Sequence, residues 1–290
     1  MKENVNTNKK SLAMMTGSML IFGTIGIFRR YIPLSSALLA AFRGMSGAVF
    51  LILIAIITRK KIKHGLPAKT VALLAFTGAL IGINWIFLFE AYNYTTVATA
   101  TLCYYMEPIF VILAAPLVLR ERLTLRKAVC GLAAIIGMVL VSGVVETGIP
   151  QIGEIKGILF GLSAAALYAT VVLINKKMPV VDAYEKTIIQ LMSAAVVLIP
   201  YLLITEDFTK FSPNATTIVM MIVVGLVHTG LAYAMYFKSM EGLSGQTVAL
   251  LGYIDPVTAL ILSAVVLNEH MGITGIIGAI LIIGAAIIGG

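Results

Sequence analysis

The chain has 290 residues, 60% of them hydrophobic and only 12% charged, with a mean hydropathy of +1.01. Soluble domains carry roughly 25% charged residues, so a soluble globular fold is excluded and a polytopic membrane protein is expected. A net charge of +8 does not point to nucleic acid. The Lys and Arg residues lie in short clusters between apolar runs, and no basic stripe or aromatic platform accompanies them.

Apolar windows of roughly 17 to 25 residues, long enough to cross a bilayer, predict ten helices in chain order. Their limits are 12–28, 35–58, 67–90, 95–118, 125–145, 156–175, 184–205, 214–238, 244–267 and 272–289. The basic, then apolar start resembles a secretory signal, but no small-residue cleavage site precedes Arg29 and Arg30. A retained first helix is therefore expected. Connections are short, so neighbouring helices are expected to run antiparallel. Cys103 and Cys130 both fall inside apolar runs and show neither metal-ligand nor disulfide spacing.

Loop charge predicts the orientation. With the N-terminus inside, sixteen of the 21 Lys and Arg residues fall in inner segments and four in outer ones, with Arg43 inside the second span. Positive charge gathers on the cytoplasmic side, so both termini are expected in the cytoplasm and the chain in the cell membrane.

Two spans carry an unusual interruption. YYMEP at 104–108 and GYIDP at 252–256 each put an acid and a helix-breaking proline at the middle of an apolar run. A charge at that depth costs about 2.5 kcal/mol or more, and proline leaves a carbonyl of the preceding turn without its donor. The two stand 148 residues apart, and Phe89/Phe237, Thr99/Thr247 and Glu121/Glu269 share that offset. Met45-Ser46 matches Met192-Ser193 at 147, while Thr24 and Pro33 match Thr170 and Pro179 at 146. The halves, about 12–145 and 156–289, therefore read as copies of one another, dividing the chain into units 1–145 and 146–290. Five spans per copy make the second copy inverted. The expected fold is all-α, with ten transmembrane helices in two inverted five-helix repeats, an architecture that places sites near mid-membrane between the repeats.

With these paired features the chain resembles the drug/metabolite transporter superfamily, in its EamA-type branch. The segments carrying the resemblance are EPIFVILAAPLVLRERLT and DPVTALILSAVVLNEHMG, together with TIGIFRRYIP and TVVLINKKMP at the ends of the first helices. The resemblance implies ten helices in two inverted halves and a secondary transporter of small organic molecules, often an exporter of amino acids or other metabolites.

Glu107 and Asp255 are the first candidates for substrate binding, for carrying a coupling proton, or for both. The plainer alternative is a pair of protonated carboxyls that only fix the bends. On helical spacing Glu107 shares a face with Ala100, Cys103 and Tyr104, and Asp255 with Val248, Leu251 and Gly252; these small residues would leave room in front of the acids. Arg43 is the only basic residue deep in a span. It could clamp a carboxylate with its planar fork, or simply neutralise Glu107 or Glu90. Gln190 occupies the matching place in the second half.

Asn84, Trp85, His228, Tyr233 and Tyr236 form a polar and aromatic group on the third and eighth spans, with Trp85 falling on Tyr233 at the common offset. Such a group suits a small-molecule pocket, although interfacial belts use the same residues. Tyr105 and Tyr253 complete the candidate set beside the two acids. His64 and His270 sit in predicted loops. Glu121 and Glu269 close the fourth and ninth spans, where structural capping competes with a gate role.

No P-loop, HExxH, GxSxG or Cys/His cluster is present, so neither a cofactor nor a metal is expected. The expected partners are a small-molecule substrate, the lipid bilayer and a coupling proton; a homodimer stays open. Both charge signs occur at depth, which favours a zwitterion such as an amino acid; the resemblance implies that it is moved outward, by alternating access. Export of amines or drug-like cations is the alternative, ahead of a lipid-headgroup flippase or an intramembrane enzyme.

Overall fold

The structure, a computed structural model, describes all residues except 1, 30, 59–65, 96, 142–144, 146–153, 209–212, 267–271 and 290. The described residues form helices joined by short connections, with no strand among them. In chain order these are α1 (Lys2–Arg29), α2 (Ser36–Ile57), α3 (Ala68–Tyr94), α4 (Val97–Tyr104), α5 (Glu107–Val118) and α6 (Leu125–Val141). There follow α7 (Ile155–Lys177), α8 (Ala183–Thr205), α9 (Ala215–Gly225), a π-helical turn (Leu226–Leu231) and α10 (Ala232–Ser239). The last three are α11 (Gly245–Gly252), α12 (Ile254–Val266) and α13 (Ile273–Gly289).

Helix starts follow local chemistry. The side chains of Ser35, Asp182, Asn214 and Ser244 each accept a backbone N–H from the first turn of the next helix, satisfying donors that have no intrahelical partner. Seven helical stretches among the described residues are long and apolar enough to cross a bilayer. The other three expected spans hold shorter pieces: α6, the broken pair α11–α12, and α13. Large apolar side chains point outward along these helices, for example Leu117, Ile204 and Leu125, all at least 80% exposed. In water that surface would be unfavourable; it suits contact with lipid tails.

Two expected spans are broken at the acid-proline sites. α4 ends at Tyr104 and α5 begins at Glu107; α11 ends at Gly252 and α12 begins at Ile254. Pro108 lies in the first turn of α5, where its missing N–H removes no helical bond. Tyr105 and Met106 close the gap with N–H bonds to Thr101 O and Cys103 O. The expected continuous helix over 214–238 is also interrupted, by the π-helical turn. There the Thr229 hydroxyl donates to the carbonyl of Val224, five residues back.

The most extensive helix pairings join residues before 142 to residues after 154: α6 with α13, α3 with α7 and α8, α2 with α8, and α1 with α10 and α12. Glycines allow several of these approaches. A Cβ on Gly78 would run into the Gln190 carbonyl of α8, and one on Gly23 would lie 2.7 Å from Asp255 O. Such close approach is how small residues pack helices within membranes.

Candidate functional site

Because the two broken spans lie opposite one another, α5 packs on α11, and Glu107 and Asp255 arrive in the first turns of α5 and α12. Both line one cavity of about 310 Å³ enclosed by α1, α2, α3, α4, α5, α7, α10, α11 and α12. That volume suits a small metabolite. The lining combines the two acids with Arg43 of α2 and nine aromatic side chains among its twenty residues.

Phe22 stands edge-on to Tyr233 with centroids 5.1 Å apart, and Tyr104 lies beside Tyr105 and Tyr168. The wall is thus made of rings that offer both apolar faces and hydroxyl groups. Gly252 contributes space: a Cβ there would meet only Pro108 Cγ, at 3.9 Å. Ala100 and Cys103, expected to leave room before Glu107, are instead covered by α7 where Gly161 packs against them.

Arg43 is held by two contacts. Its Nε–H donates to Thr229 Oγ1 at 3.0 Å, and its guanidinium carbon lies 5.7 Å from the Trp85 ring centroid. Among the described residues it forms no ion pair with either cavity acid. Glu90 is engaged elsewhere, accepting from the Tyr201 hydroxyl at 2.8 Å.

Seven of the eleven candidate residues line this cavity: Arg43, Trp85, Tyr105, Glu107, Tyr233, Tyr236 and Asp255. The other four lie outside the lining. Asn84 donates to Ala164 O at 2.6 Å, and Gln190 donates to Thr77 Oγ1 and Asn175 Oδ1. His228 meets Thr24 Oγ1 through Nε2 at 2.7 Å and stands edge-on to Phe28. Tyr253 is fully buried between helices. His64, Glu269 and His270 lie outside the described residues.

The cavity also includes residues absent from the candidate set: Tyr92, Tyr104 and Tyr168. The repeat offset could have found two of them. Phe22 and Tyr168 stand 146 apart, as do Thr24 and Thr170, while Tyr104 and Gly252 stand 148 apart, and all four of Phe22, Tyr168, Tyr104 and Gly252 line the wall. Tyr92 carried no such mark.

At one end of the molecule Glu121 accepts N–H bonds from Gly245 at 2.7 Å and Gln246 at 3.2 Å, capping α11. Lys127 donates to Ser244 at 3.0 Å, and Lys176 to the carbonyls of Met240 and Leu243. Glu121 and Lys127 thus tie residues 119–127 to the start of α11, and Lys176 ties the end of α7 to the segment before α11.

A helical membrane protein with a polar, aromatic cavity between interleaved halves has the build of a small-molecule transporter. The model of the EamA-like transporter family matches this chain twice, over residues 9–143 and 155–289. The chain belongs to that family. It is 27% identical over 266 residues to the uncharacterized transporter YxxF of Bacillus subtilis (strain 168), covering 90% of this chain and 84% of that one. It is 26% identical over 269 residues to Protein PecM of Dickeya dadantii (strain 3937), covering 91% and 86%. A crystal structure of a protein 18% identical superimposes with a TM-score of 0.86 over 97% of this chain and 96% of the other, which speaks for the fold alone.

Proposed function

We propose that this transporter moves a small zwitterion, an amino acid or similar metabolite, outward across the cell membrane by alternating access around the cavity. The observation that carries the reading is the presence of Arg43, Glu107 and Asp255 on one wall system of about 310 Å³. A carboxylate suits the guanidinium fork and an ammonium suits the two acids and the ring faces. A ligand with both groups leaves no charge unpaired in a site of low dielectric. An anion without an amine would face two carboxylates.

Ten spans in two inverted five-helix repeats form the frame of this proposal. The double family match, the constant offsets and the pairing of equivalent elements (α2 with α8, α6 with α13) support it. Loop charge supports cytoplasmic termini, with a proton exchanged at Glu107 or Asp255 as the coupling ion.

Amine or cation export is the second reading, favoured by two acids and nine rings against one arginine. The purified protein in liposomes separates the two. Counterflow of amino acids, inhibited neither by their decarboxylated amines nor by their deaminated acids, is expected. Inhibition by the amines alone would make the cation reading correct, and product formation without movement would indicate an enzyme.

A further inference from the structure

The π-helical turn is an insertion that can be located in the sequence. Gly78 corresponds to Gly225 at an offset of 147, but Gly82 corresponds to Gly230 at 148. The contacts agree with this pairing. Gly78 abuts Ser193 of α8 and Gly225 abuts Ser46 of α2, and Ser46 and Ser193 stand 147 apart. Gly82 meets Ala194 and Val197, while Gly230 meets their counterparts Gly47 and Phe50. One extra residue therefore enters the second half between positions 225 and 230, inside the turn Leu226–Leu231. A π turn accommodates one additional residue without breaking the helix, and such turns are frequent at functional sites.

The extra residue changes what the helix presents. Thr77, Thr170, Thr187 and Thr258 donate their hydroxyls to carbonyls four residues back. Thr229 reaches five residues back, to Val224 O at 3.1 Å. With its hydrogen committed there, its oxygen is left to accept from Arg43 Nε at 3.0 Å. Thr229 is fully buried, so water does not substitute for it. Among the described residues Nε–H is the guanidinium donor that has a partner, which leaves the two terminal nitrogens for a ligand. The corresponding residue of α2's counterpart, Gln190, is held by Thr77 from an uninterrupted α3 and lies outside the cavity wall.

We propose that Thr229, displaced by the one-residue insertion in the π turn, is a positioning residue that sets the Arg43 fork over Trp85 to receive the carboxylate of the substrate. It confers preference for ligands with a carboxylate over amines. The inference rests on the zwitterion reading above.

The test is transport by Thr229→Val, Thr229→Ser, Arg43→Gln and the double variant Thr229→Val/Arg43→Gln, reconstituted in liposomes. The probes are the twenty amino acids, each beside its decarboxylated amine. Loss of a hydrogen bond to a charged group should raise KM for the amino acid roughly tenfold or more in Thr229→Val. Thr229→Ser should restore it, kcat should change little, and the valine should add nothing in the Arg43→Gln background. Should Thr229→Val fail to fold, Thr229→Ala in the same cycle gives the same comparison. Normal KM in Thr229→Val beside lost transport in Arg43→Gln would overturn the positioning role while keeping the reading. Normal transport in Arg43→Gln, or no amino acid moved by the wild type, would overturn the reading itself.

Discussion

Glu107 and Asp255 occupy the first turns of helices that start midway through their spans. The N–H groups exposed at such a start favour negative charge, so the break that proline imposes also makes a place for an acid. Both face the same cavity from the two halves. A carboxyl that exchanges its proton during the cycle would couple flux to a pH gradient. An imposed gradient should therefore drive accumulation by the wild type. Glu107→Gln or Asp255→Asn should weaken movement down the substrate gradient without abolishing it, while removing that drive. Flux indifferent to the gradient in the wild type would assign the acids to binding only. Why these two residues were legible beforehand is physical: a charge inside an apolar run stands out at any depth. Tyr92, Tyr104 and Tyr168 were not, because a ring on a membrane helix has the same sequence signature in a belt, a core or a cavity. Asn84 and Gln190 illustrate the complementary difficulty. Each is polar and deep, and each has its amide nitrogen committed to a neighbouring helix, which depth alone does not reveal.

At the scale of elements, the pairing of α3 with α8 is set by glycine. A Cβ on Gly78 would meet the Gln190 carbonyl, with Gln190 Cα at 2.7 Å, and backbone cannot step aside as a flexible side chain can. Gly78→Ala should lower stability by about 1–3 kcal/mol, the usual penalty of overpacking, read as a fall in melting temperature in detergent. Gly26→Ala is the control: nothing lies within 4 Å of a Cβ there, so it should melt no lower than wild type. Equal melting of the two variants would contradict the packing account. Hydropathy located the helices because lipid-facing side chains are apolar throughout. It could not show the π turn, since LVHTGL is as compatible with an α-helix as its neighbours. The register change from 147 to 148 was present in the sequence, but only the contacts of Gly225 and Gly230 place the extra residue inside the turn.

Over the whole molecule, the two stretches that match the family model interleave rather than forming separate domains. α6 packs on α13 and α2 on α8, so these equivalent elements meet their own counterparts, while α5 packs on α11, the counterpart of α4. On the alternating access proposed above, the halves would rock about a shared centre, with the cavity among the elements that move. Inverted repeats require opposite insertion, which labelling can read. With Cys103 and Cys130 replaced by alanine, a cysteine at Arg122 should react only from the cytoplasmic side and one at Asp207 only from outside; the reverse pattern, or reaction of both from one side, would contradict the orientation. The central claim concerns what the cavity holds, and its most direct measurement is amino-acid counterflow by Arg43→Gln in liposomes beside the wild type. The account predicts that the variant folds, melts near the wild type and loses amino-acid exchange, while an amine lacking the carboxylate is no worse a ligand than before. Unchanged amino-acid exchange by Arg43→Gln would contradict it.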